Sequence, residues 1–406
     1  MKPGYWRLQL VFGWWVLAST APAIYLWVGL PLILRGQGWS GVQIGVLQLA
    51  GLPVVIKWLL AMPVERYRPR RGHYKAWTLA LAVPLGLVLL ALSRPEVMAR
   101  PPWLFALAGL FALLATWLDV PLGALAIRRL PPSQRLRAGA VRSAASSLAA
   151  ILGGGVMLLV QDRWGWAAPF MAMAGLLAVG MLLLAPVSEQ GGAAATPEAK
   201  SGASLSGYFR RPGLGVWQPL LIALFPCLGA AWVFLKPLML DHGFSVPQVA
   251  WWVGVVGGLV AAAAGGLAPA GAVRLGVGRW LVALALFDTL ALAGLGWAVS
   301  VDVPAALLAG ALAVAAAMGA TAALMFALMM HYARRRARAL DYGLQASLFG
   351  AGRLLAPLGA GWLLDRGGYA GMLAGLVLVM GLMALYALGV RRRLPERLSP
   401  PPAGAQ

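Results

Sequence analysis

The hexapeptide DRWGWA at residues 162–167 returns as DRGGYA at residues 365–370. Each copy follows one long apolar stretch and precedes another. A second pair of related triplets, GWS at residues 38–40 and GFS at residues 243–245, has nearly the same spacing along the chain. Short motifs that recur at one spacing indicate an internal repeat. The chain is therefore predicted to consist of two related halves.

The composition of the chain is that of a membrane protein. Of the 406 residues, 61% are hydrophobic and only 11% are charged, and the mean hydropathy is +0.79. Soluble domains contain about 45–50% apolar and about 25% charged residues. This composition excludes a soluble enzyme, and we expect no enzymatic activity. The sequence also lacks the GxxxxGK[ST] motif, so an ATP-driven pump is not expected.

Twelve apolar stretches are long enough to cross a bilayer, since each crossing helix needs about 20 residues. They cover residues 8–34, 41–62, 75–93, 103–127, 138–161, 165–187, 214–240, 247–272, 278–299, 304–331, 341–364 and 368–390. The predicted fold class is an all-α membrane protein with twelve transmembrane helices. The first stretch is too long for a signal-peptide core, so we expect it to remain in the mature chain.

The longest polar interruption, residues 188–213, contains SEQGGAAATPEAKSGASLSG and is typical of a flexible linker. It separates a predicted N-terminal six-helix bundle, residues 1–187, from a C-terminal six-helix bundle, residues 214–390. Residues 391–406 are expected to form a cytoplasmic tail. Two six-helix repeats of the same orientation predict a pseudo-two-fold axis along the membrane normal, with a solute site between the bundles near the midplane.

The distribution of basic residues predicts the orientation of the chain. Most of the 33 Lys and Arg residues lie at the termini and in the even-numbered connections. The odd-numbered connections contain only Arg35, Arg94, Arg100, Arg163 and Arg366. The positive-inside rule then places both termini in the cytoplasm. The net charge of +21 is explained in this way, and no nucleic-acid partner is expected.

Three segments resemble a known family: GLPVVIKWLLAMPVERYRPR at residues 51–70, GFSVPQVAWWVGVVGG at 243–258 and LFGAGRLLAPLGAGWLLDRGGYAGM at 348–372. The family is the major facilitator superfamily, and within it the peptide, acetyl-CoA and drug transporter branch that includes AmpG-type muropeptide permeases. The segment at residues 118–135 keeps Asp119 of that branch's pattern but has Gly123 in place of its second acid.

Other segments that depart from this pattern are more similar to those of siderophore importers of the RhtX/FptX type, which are relatives of the same branch. They include LPLILRGQGWS at residues 30–40 and FPCL at residues 225–228, where muropeptide permeases carry Lys and Asp. The resemblance implies a monomeric, alternating-access, proton-coupled importer in the bacterial inner membrane, without a cofactor. Its expected solute is amphipathic and anionic, with a ferri-siderophore first. The alternatives are a muropeptide or other peptide-like solute, and export of a drug or metabolite.

We single out five ionisable side chains that lie inside predicted helices, where burial of a charge costs at least about 2.5–3.5 kcal/mol. These are Lys57, Asp119, Lys236, Asp288 and Arg353. Such residues mark solute or ion pathways, and a non-transporting scaffold or receptor would not need them. The single Cys and the three scattered His residues predict neither a disulfide nor a metal site.

Arg353 is expected to bind a carboxylate or phenolate of the solute, since a guanidinium pairs with carboxylates in bidentate geometry. The alternative is a structural bond to a helix carbonyl or an acid. Lys57 is a second candidate solute ligand or a side chain that reaches the cytoplasmic interface, and Lys236 either draws anions inward or reaches the outer interface. Tyr25 and Trp232 are expected to stack on the solute or to pack in the core.

Asp119 and Asp288 are the candidate proton carriers, because desolvation raises a carboxyl pKa toward the working range. Asp119 has the alternative of a permanent pair with Lys57 or a loop arginine. Asp288 lies on a helix that the resemblance places at the periphery of the bundle.

The loop that follows the second predicted helix contains Glu65, Arg66 and Arg70. It resembles the superfamily's short gating loop, in which a salt bridge and contacts at helix ends hold the cytoplasmic side closed. The alternative is a cluster of basic residues that only orients the chain.

Overall fold

A computed structural model describes residues 4–30, 49–67, 72–98, 100–189, 208, 214–334 and 337–395. These residues are almost entirely helical and contain no β-strand. Helices are expected from the composition, because a bilayer offers no water to backbone N–H and C=O groups and a helix satisfies both internally.

Six helices form the first half of the chain. They are α1 (Gly4–Ile24), α2 (Lys57–Arg66), α3 (His73–Leu92), α4 (Pro101–Arg129), α5 (Arg135–Ile151, continued by Met157–Trp164) and α6 (Ala167–Leu184). Single π-helical turns extend α1 at Tyr25–Gly29 and join the two parts of α5 at Leu152–Val156. A short helix, Pro95–Met98, precedes α4.

Six further helices follow. They are α7 (Leu214–Asp241), α8 (Gly257–Leu275), α9 (Val277–Val301), α10 (Pro304–Tyr332), α11 (338–367) and α12 (369–390). A short helix, Val246–Val249, and a π-helical segment, Ala250–Val256, lead into α8. The turn Arg391–Arg393 follows α12.

The repeated hexapeptide forms the same backbone feature in both halves. Its fourth residue is Gly165 between α5 and α6, with φ 81°, and Gly368 between α11 and α12, with φ 61°. A positive φ is readily adopted by glycine and rarely by other residues. The motif therefore redirects the chain before the last helix of each half, as the repeat predicts.

Ten helices in the described residues are long and apolar enough to cross a membrane. This set counts α11 and α12 as one span and leaves out α2, of which the structure describes only the last part. The prediction of a twelve-helix, all-α membrane protein is confirmed. The predicted helix over 41–62 differs most: residues 41–48 lie outside the described residues, and the described part is a 3₁₀ turn at Leu49–Val54 followed by α2.

The described contacts divide the chain into two compact units. Unit 1 comprises Met1–Leu130, Leu148–Ala203 and Ala333–Ser347, and unit 2 comprises Pro131–Ser147, Ser204–Tyr332 and Leu348–Gln406. The two units therefore differ from the predicted bundles in the first parts of α5 and α11. The first part of α5 packs on α10 in unit 2, where the Ser143 hydroxyl donates a hydrogen bond of 2.8 Å to the Gly319 carbonyl.

The interior of each unit is filled by large side chains. In unit 1, Trp15, Tyr25 and Phe170 are fully buried. In unit 2, Trp217 is fully buried and stacks on Tyr332, with ring centroids 5.5 Å apart.

Candidate functional site

The first site lies in unit 1, where α2, α4 and the start of α11 meet. Lys57 is the first residue of α2, and its ammonium donates to Asp119 Oδ2 of α4 at 2.5 Å. The hydroxyl of Tyr342 donates to the same carboxylate oxygen at 3.0 Å. The Lys57 Nζ atom also lies 5.9 Å from the centre of the Tyr342 ring. We call these three residues the Asp119 cluster.

The Asp119 cluster is largely removed from solvent: the Lys57 and Asp119 side chains are 9% and 15% exposed. A buried ion pair of this kind is expensive to break, because loss of one partner leaves the other charge without compensation. The geometry corresponds to the alternative in which Asp119 pairs with Lys57. It also allows protonation of Asp119 to release two donors at once, since Lys57 and Tyr342 share one oxygen.

Tyr342 was not among the residues that the sequence singled out. A Cβ atom at Gly123 of α4 would lie only 2.5 Å from the Tyr342 ring, so the ring fills the space that Gly123 leaves open. Gly123 stands where the family pattern has its second acid. The absence of the second acid was therefore the feature of the sequence that could have indicated the approach of another side chain to Asp119.

Asp288 forms a separate site in unit 2. Its side chain is fully buried in α9, and the hydroxyl of Thr321 in α10 contacts its two carboxylate oxygens at 2.8 and 3.1 Å. No ion pair involving Asp288 occurs in the described part of the chain. The structure therefore keeps the two candidate proton carriers in different surroundings, one paired with a cation and one bonded to a hydroxyl.

Arg353 lies in α11 within unit 2, and its side chain is exposed. An α-helix turns about 100° per residue, so Leu355, Leu358 and Trp362 project from the opposite side of α11. Their side chains are 64%, 69% and 55% exposed, as expected of a surface that faces lipid. Arg353 therefore points away from the apolar strip of its helix.

The backbone beside Arg353 is held against α7. A Cβ atom at Gly352 would lie 2.2 Å from the carbonyl oxygen of Ile222, so the two helices touch directly at this level. Among the described residues, no hydrogen bond or ion pair to Arg353 is seen. The structural alternative for this arginine was a bond to a helix carbonyl or an acid, and the described residues do not form such a bond.

The other candidate solute ligands have varied surroundings. Lys236 is half-buried in α7 on the side that also carries the exposed Val233 and Leu240, close to the end of the helix. Trp232 is half-buried, and its indole packs over the space left by Gly257. Both residues belong to unit 2.

Tyr25 lies in the core of unit 1. Its side chain is fully buried, its hydroxyl donates to the side chain of Gln161, and its ring packs edge-on against Phe170. This arrangement corresponds to the core-packing alternative for Tyr25, and solute stacking on this ring would require the side chain to leave these contacts.

Glu65, at the end of α2, lies against the start of α11 in unit 1. Its carboxylate is 8% exposed and accepts hydrogen bonds from the Ala339 backbone N–H at 2.7 Å and from the Tyr74 hydroxyl at 3.1 Å. Since Ala339 is the second residue of α11, the negative charge of Glu65 faces the positive end of a helix dipole. Arg66 is exposed, and Arg70 lies outside the described residues.

The sequence did not single out a second carboxylate, Glu189. It lies at the start of α3, as Glu65 lies at the start of α11. Glu189 accepts hydrogen bonds from the backbone N–H groups of Tyr74 and Lys75, at 3.3 and 3.2 Å. It also pairs with Arg128 at the end of α4, at 2.7 Å. Glu189 is the second residue of the predicted flexible linker, and these bonds fix that part of the linker to unit 1.

A further ion pair fixes the connection between α10 and α11. Arg334 donates through Nη2 to Asp341 Oδ1 at 2.6 Å and through Nε to Oδ2 at 2.8 Å. Asp341 is fully buried. In the described ranges, no group of three or more His, Cys, Asp or Glu residues is placed to hold a metal ion.

Comparison with known proteins places this geometry in context. The family model of the Major Facilitator Superfamily matches residues 10–299. Over 366 residues the chain is 26% identical to the anhydromuropeptide permease of Escherichia coli K12, an alignment that covers 84% of this chain and 73% of the permease. The permease of Escherichia coli O157:H7 gives the same values.

Solved structures share the fold. The transporter FucP in the outward conformation superposes with a TM-score of 0.72 at 16% identity, covering 97% of this chain and 99% of FucP. The human organic anion transporter MFSD10 superposes with a TM-score of 0.71 at 16% identity, covering 95% of this chain and 100% of MFSD10. At such identities the likeness concerns the fold alone.

Proposed function

This chain belongs to the Major Facilitator Superfamily and is a multi-pass membrane transporter, and we propose that it carries acidic anhydromuropeptides across the bacterial inner membrane into the cytoplasm. The observation that carries this proposal is the 26% identity to an anhydromuropeptide permease over 84% of the chain. A muropeptide joins sugar rings to a short acidic peptide, so its carrier needs a cation in a polar pathway.

Arg353 meets that requirement. A guanidinium that faced the acyl chains would be strongly disfavoured, and Arg353 points away from Leu355 and Leu358, the most exposed leucines near it on α11. We therefore assign it the role of binding a peptide carboxylate of the solute. The segments similar to siderophore importers favoured a ferri-siderophore as the solute. Both similar sequences described above are anhydromuropeptide permeases, so we now propose a muropeptide as the first candidate solute.

We assign proton coupling first to the Asp119 cluster. A proton bound by Asp119 neutralises the partner of Lys57 and weakens the bond from Tyr342, because both donors depend on the charge of one carboxylate oxygen. Loss of these bonds loosens the start of α11 from α2 and α4. Asp288 is a second proton carrier in this proposal, since its buried carboxyl has the Thr321 hydroxyl beside it and forms no ion pair with any described residue.

Glu65, near the end of α2, is assigned to the gate. Arg66 and Arg70 are its basic neighbours in the sequence. Its bond to the Ala339 N–H holds the start of α11 against α2. Because a charge-assisted bond at a helix terminus contributes about 1 kcal/mol, its removal shifts the gate toward the open state about fivefold.

The Glu65→Gln substitution tests the gate. In a protein that carries Ala346→Cys on α11, a buried position, we expect the introduced thiol to react about fivefold faster with an impermeant maleimide in inside-out vesicles. Glu96→Gln, at an exposed glutamate of a short helix, is the matched control and should leave the rate unchanged. Equal rates in all three proteins would remove Glu65 from the gate.

The transport proposal is tested by uptake into proteoliposomes that contain the purified protein and an inward proton gradient. We expect accumulation of a radiolabelled anhydromuropeptide, and no accumulation of ferri-siderophores. Uptake that persists unchanged after an ionophore collapses the gradient would contradict proton coupling. Uptake of a ferri-siderophore without the muropeptide would reverse the assignment of the solute.

A further inference from the structure

In the part of the chain that the structure describes, five exposed arginines lie at one end of unit 2, and we propose that they bind the phosphate groups of an anionic phospholipid, diphosphatidylglycerol. We call them the basic end of unit 2. They are Arg274, Arg279, Arg391, Arg392 and Arg393. The inference concerns the lipid around the protein and does not depend on the identity of the transported solute.

Backbone contacts bring three segments together at the basic end of unit 2. Only Gly276 separates α8 from α9. A Cβ atom at Gly278, the second residue of α9, would lie 2.5 Å from the carbonyl oxygen of Arg391 and 3.6 Å from its Cα atom. Because consecutive Cα atoms are about 3.8 Å apart, the Cα atoms of Arg279 and Arg391 lie within about 9 Å of each other. Their long side chains can therefore reach one lipid headgroup.

No acid compensates these positive charges within the described residues. Residues 270–282 and 386–395 contain neither Asp nor Glu. None of the five arginine side chains forms a hydrogen bond or an ion pair with another described residue. The next acid along the chain, Glu396, lies outside the described residues. Like charges at short range repel one another, and a bound anion offsets this repulsion.

The first half of the chain has an acid at the corresponding place. The hexapeptide recurs after 203 residues, from 162 to 365, and the same spacing relates Glu189 to Arg392. In unit 1 the Glu189 carboxylate accepts hydrogen bonds from backbone N–H groups at the start of α3 and pairs with Arg128. Unit 2 has an arginine in place of this carboxylate. The start of α9 and the arginines around it therefore need an anion from outside the described residues.

Exposed apolar side chains border the basic end of unit 2 and favour a lipid as the source of that anion. Val273 and Leu275 flank Arg274 and are 75% and 48% exposed, and Leu388 of α12 is 44% exposed. Basic side chains at the ends of membrane-crossing helices attract anionic lipids. A lipid phosphate can bind the arginines while the acyl chains cover the apolar side chains. A soluble anion such as inorganic phosphate would leave them uncovered.

The number and origin of the arginines favour a lipid with two phosphate groups. Diphosphatidylglycerol carries both phosphates in one headgroup, and a guanidinium binds phosphate oxygens in bidentate geometry. Arg274 and Arg279 can bind one phosphate beside the α8–α9 connection, and the turn Arg391–Arg393 can bind the other. The bound lipid would thus join the end of α12 to the start of α9 and stabilise this end of unit 2.

The test is lipid binding by the purified full-length protein in detergent, measured by native mass spectrometry as the fraction of protein that carries added lipid. The probes are diphosphatidylglycerol and phosphatidylethanolamine with the same acyl chains. We expect the wild-type protein to bind diphosphatidylglycerol more tightly. Arg279→Gln/Arg391→Gln should weaken this binding about 30-fold, at about fivefold for each arginine, and change the binding of phosphatidylethanolamine much less. Arg279→Lys/Arg391→Lys keeps the charges and should keep most of the binding.

The control is Arg94→Gln/Arg100→Gln, which removes two exposed arginines between α3 and α4 and should bind diphosphatidylglycerol as the wild-type protein does. Equal affinity of the control and of Arg279→Gln/Arg391→Gln would overturn the site and leave these arginines with a role in orientation alone. Equal weakening of both lipids would contradict a site for phosphate groups. Displacement of the bound lipid by inorganic phosphate at the same concentration would assign the arginines to a soluble anion instead.

Discussion

Replacing Arg353 by glutamine is expected to lower uptake of the acidic anhydromuropeptide about 10- to 100-fold at solute concentrations below KM. The reason is the loss of a charge-assisted bond, which contributes about 1.5–3 kcal/mol. Because Arg353 has no hydrogen-bonded partner among the described residues, its removal leaves no buried acid unpaired, and little destabilisation is expected. Initial rates of uptake by membrane vesicles, normalised to the amount of protein in the membrane, measure the effect.

Arg366→Gln is the matched control for this prediction. Arg366 is an exposed arginine near the end of the same helix, and its guanidinium lies 4.0 Å from the centre of the Trp362 ring. We expect this variant to transport at the wild-type rate. Arg353→Lys retains the charge without the bidentate geometry and should show intermediate uptake. Uptake by Arg353→Gln within twofold of the Arg366→Gln value would rule out a solute contact at Arg353.

Replacing Asp119 by asparagine is expected to abolish accumulation driven by the proton gradient while exchange of the solute between the two sides continues. Asparagine cannot take up the proton, but it still accepts hydrogen bonds from Lys57 and Tyr342. The loss of the counter-charge leaves the Lys57 ammonium uncompensated, which costs about 3–5 kcal/mol for a buried pair. Accumulation and exchange are compared in the same proteoliposomes.

Stability must be followed in parallel, and the chain offers a native probe for it. Its single cysteine, Cys227, is buried, so the reactivity of this thiol with a fluorogenic dye reports unfolding. We expect a lower Tm for Asp119→Asn and a recovery of Tm in Lys57→Gln/Asp119→Asn, without recovery of accumulation. Asp162→Asn, at an exposed position, is the control. Gradient-driven accumulation by Asp119→Asn at the wild-type level would remove this carboxylate from coupling.

The helical architecture was accessible from the sequence because hydrophobic length alone determines which segments can span a bilayer. The repeated hexapeptide also marked equivalent positions in the two halves, since the glycines at its fourth position, Gly165 and Gly368, both have positive φ. The break before α2 was missed, although Pro53 was visible in the predicted helix. A continuous apolar run does not show where the helix is interrupted.

The contacts at the candidate sites could be predicted from the sequence only in part. Asp119 and Arg353 stood out as charges within apolar stretches, but the approach of Tyr342 to Asp119 joins segments far apart in the chain. Glu189 lay in a stretch whose composition is typical of a linker, although it bonds to the start of α3. Periodicity and composition carry no information on such long-range pairs.

Transport in this proposal depends on the Arg353 guanidinium of α11, which binds the acidic group of the solute. The most direct measurement is equilibrium binding of the acidic anhydromuropeptide to the purified wild-type, Arg353→Gln and Arg366→Gln proteins. We expect equal affinity for the wild-type and Arg366→Gln proteins and an affinity about 10- to 100-fold lower for Arg353→Gln. Equal affinity of all three proteins would contradict it.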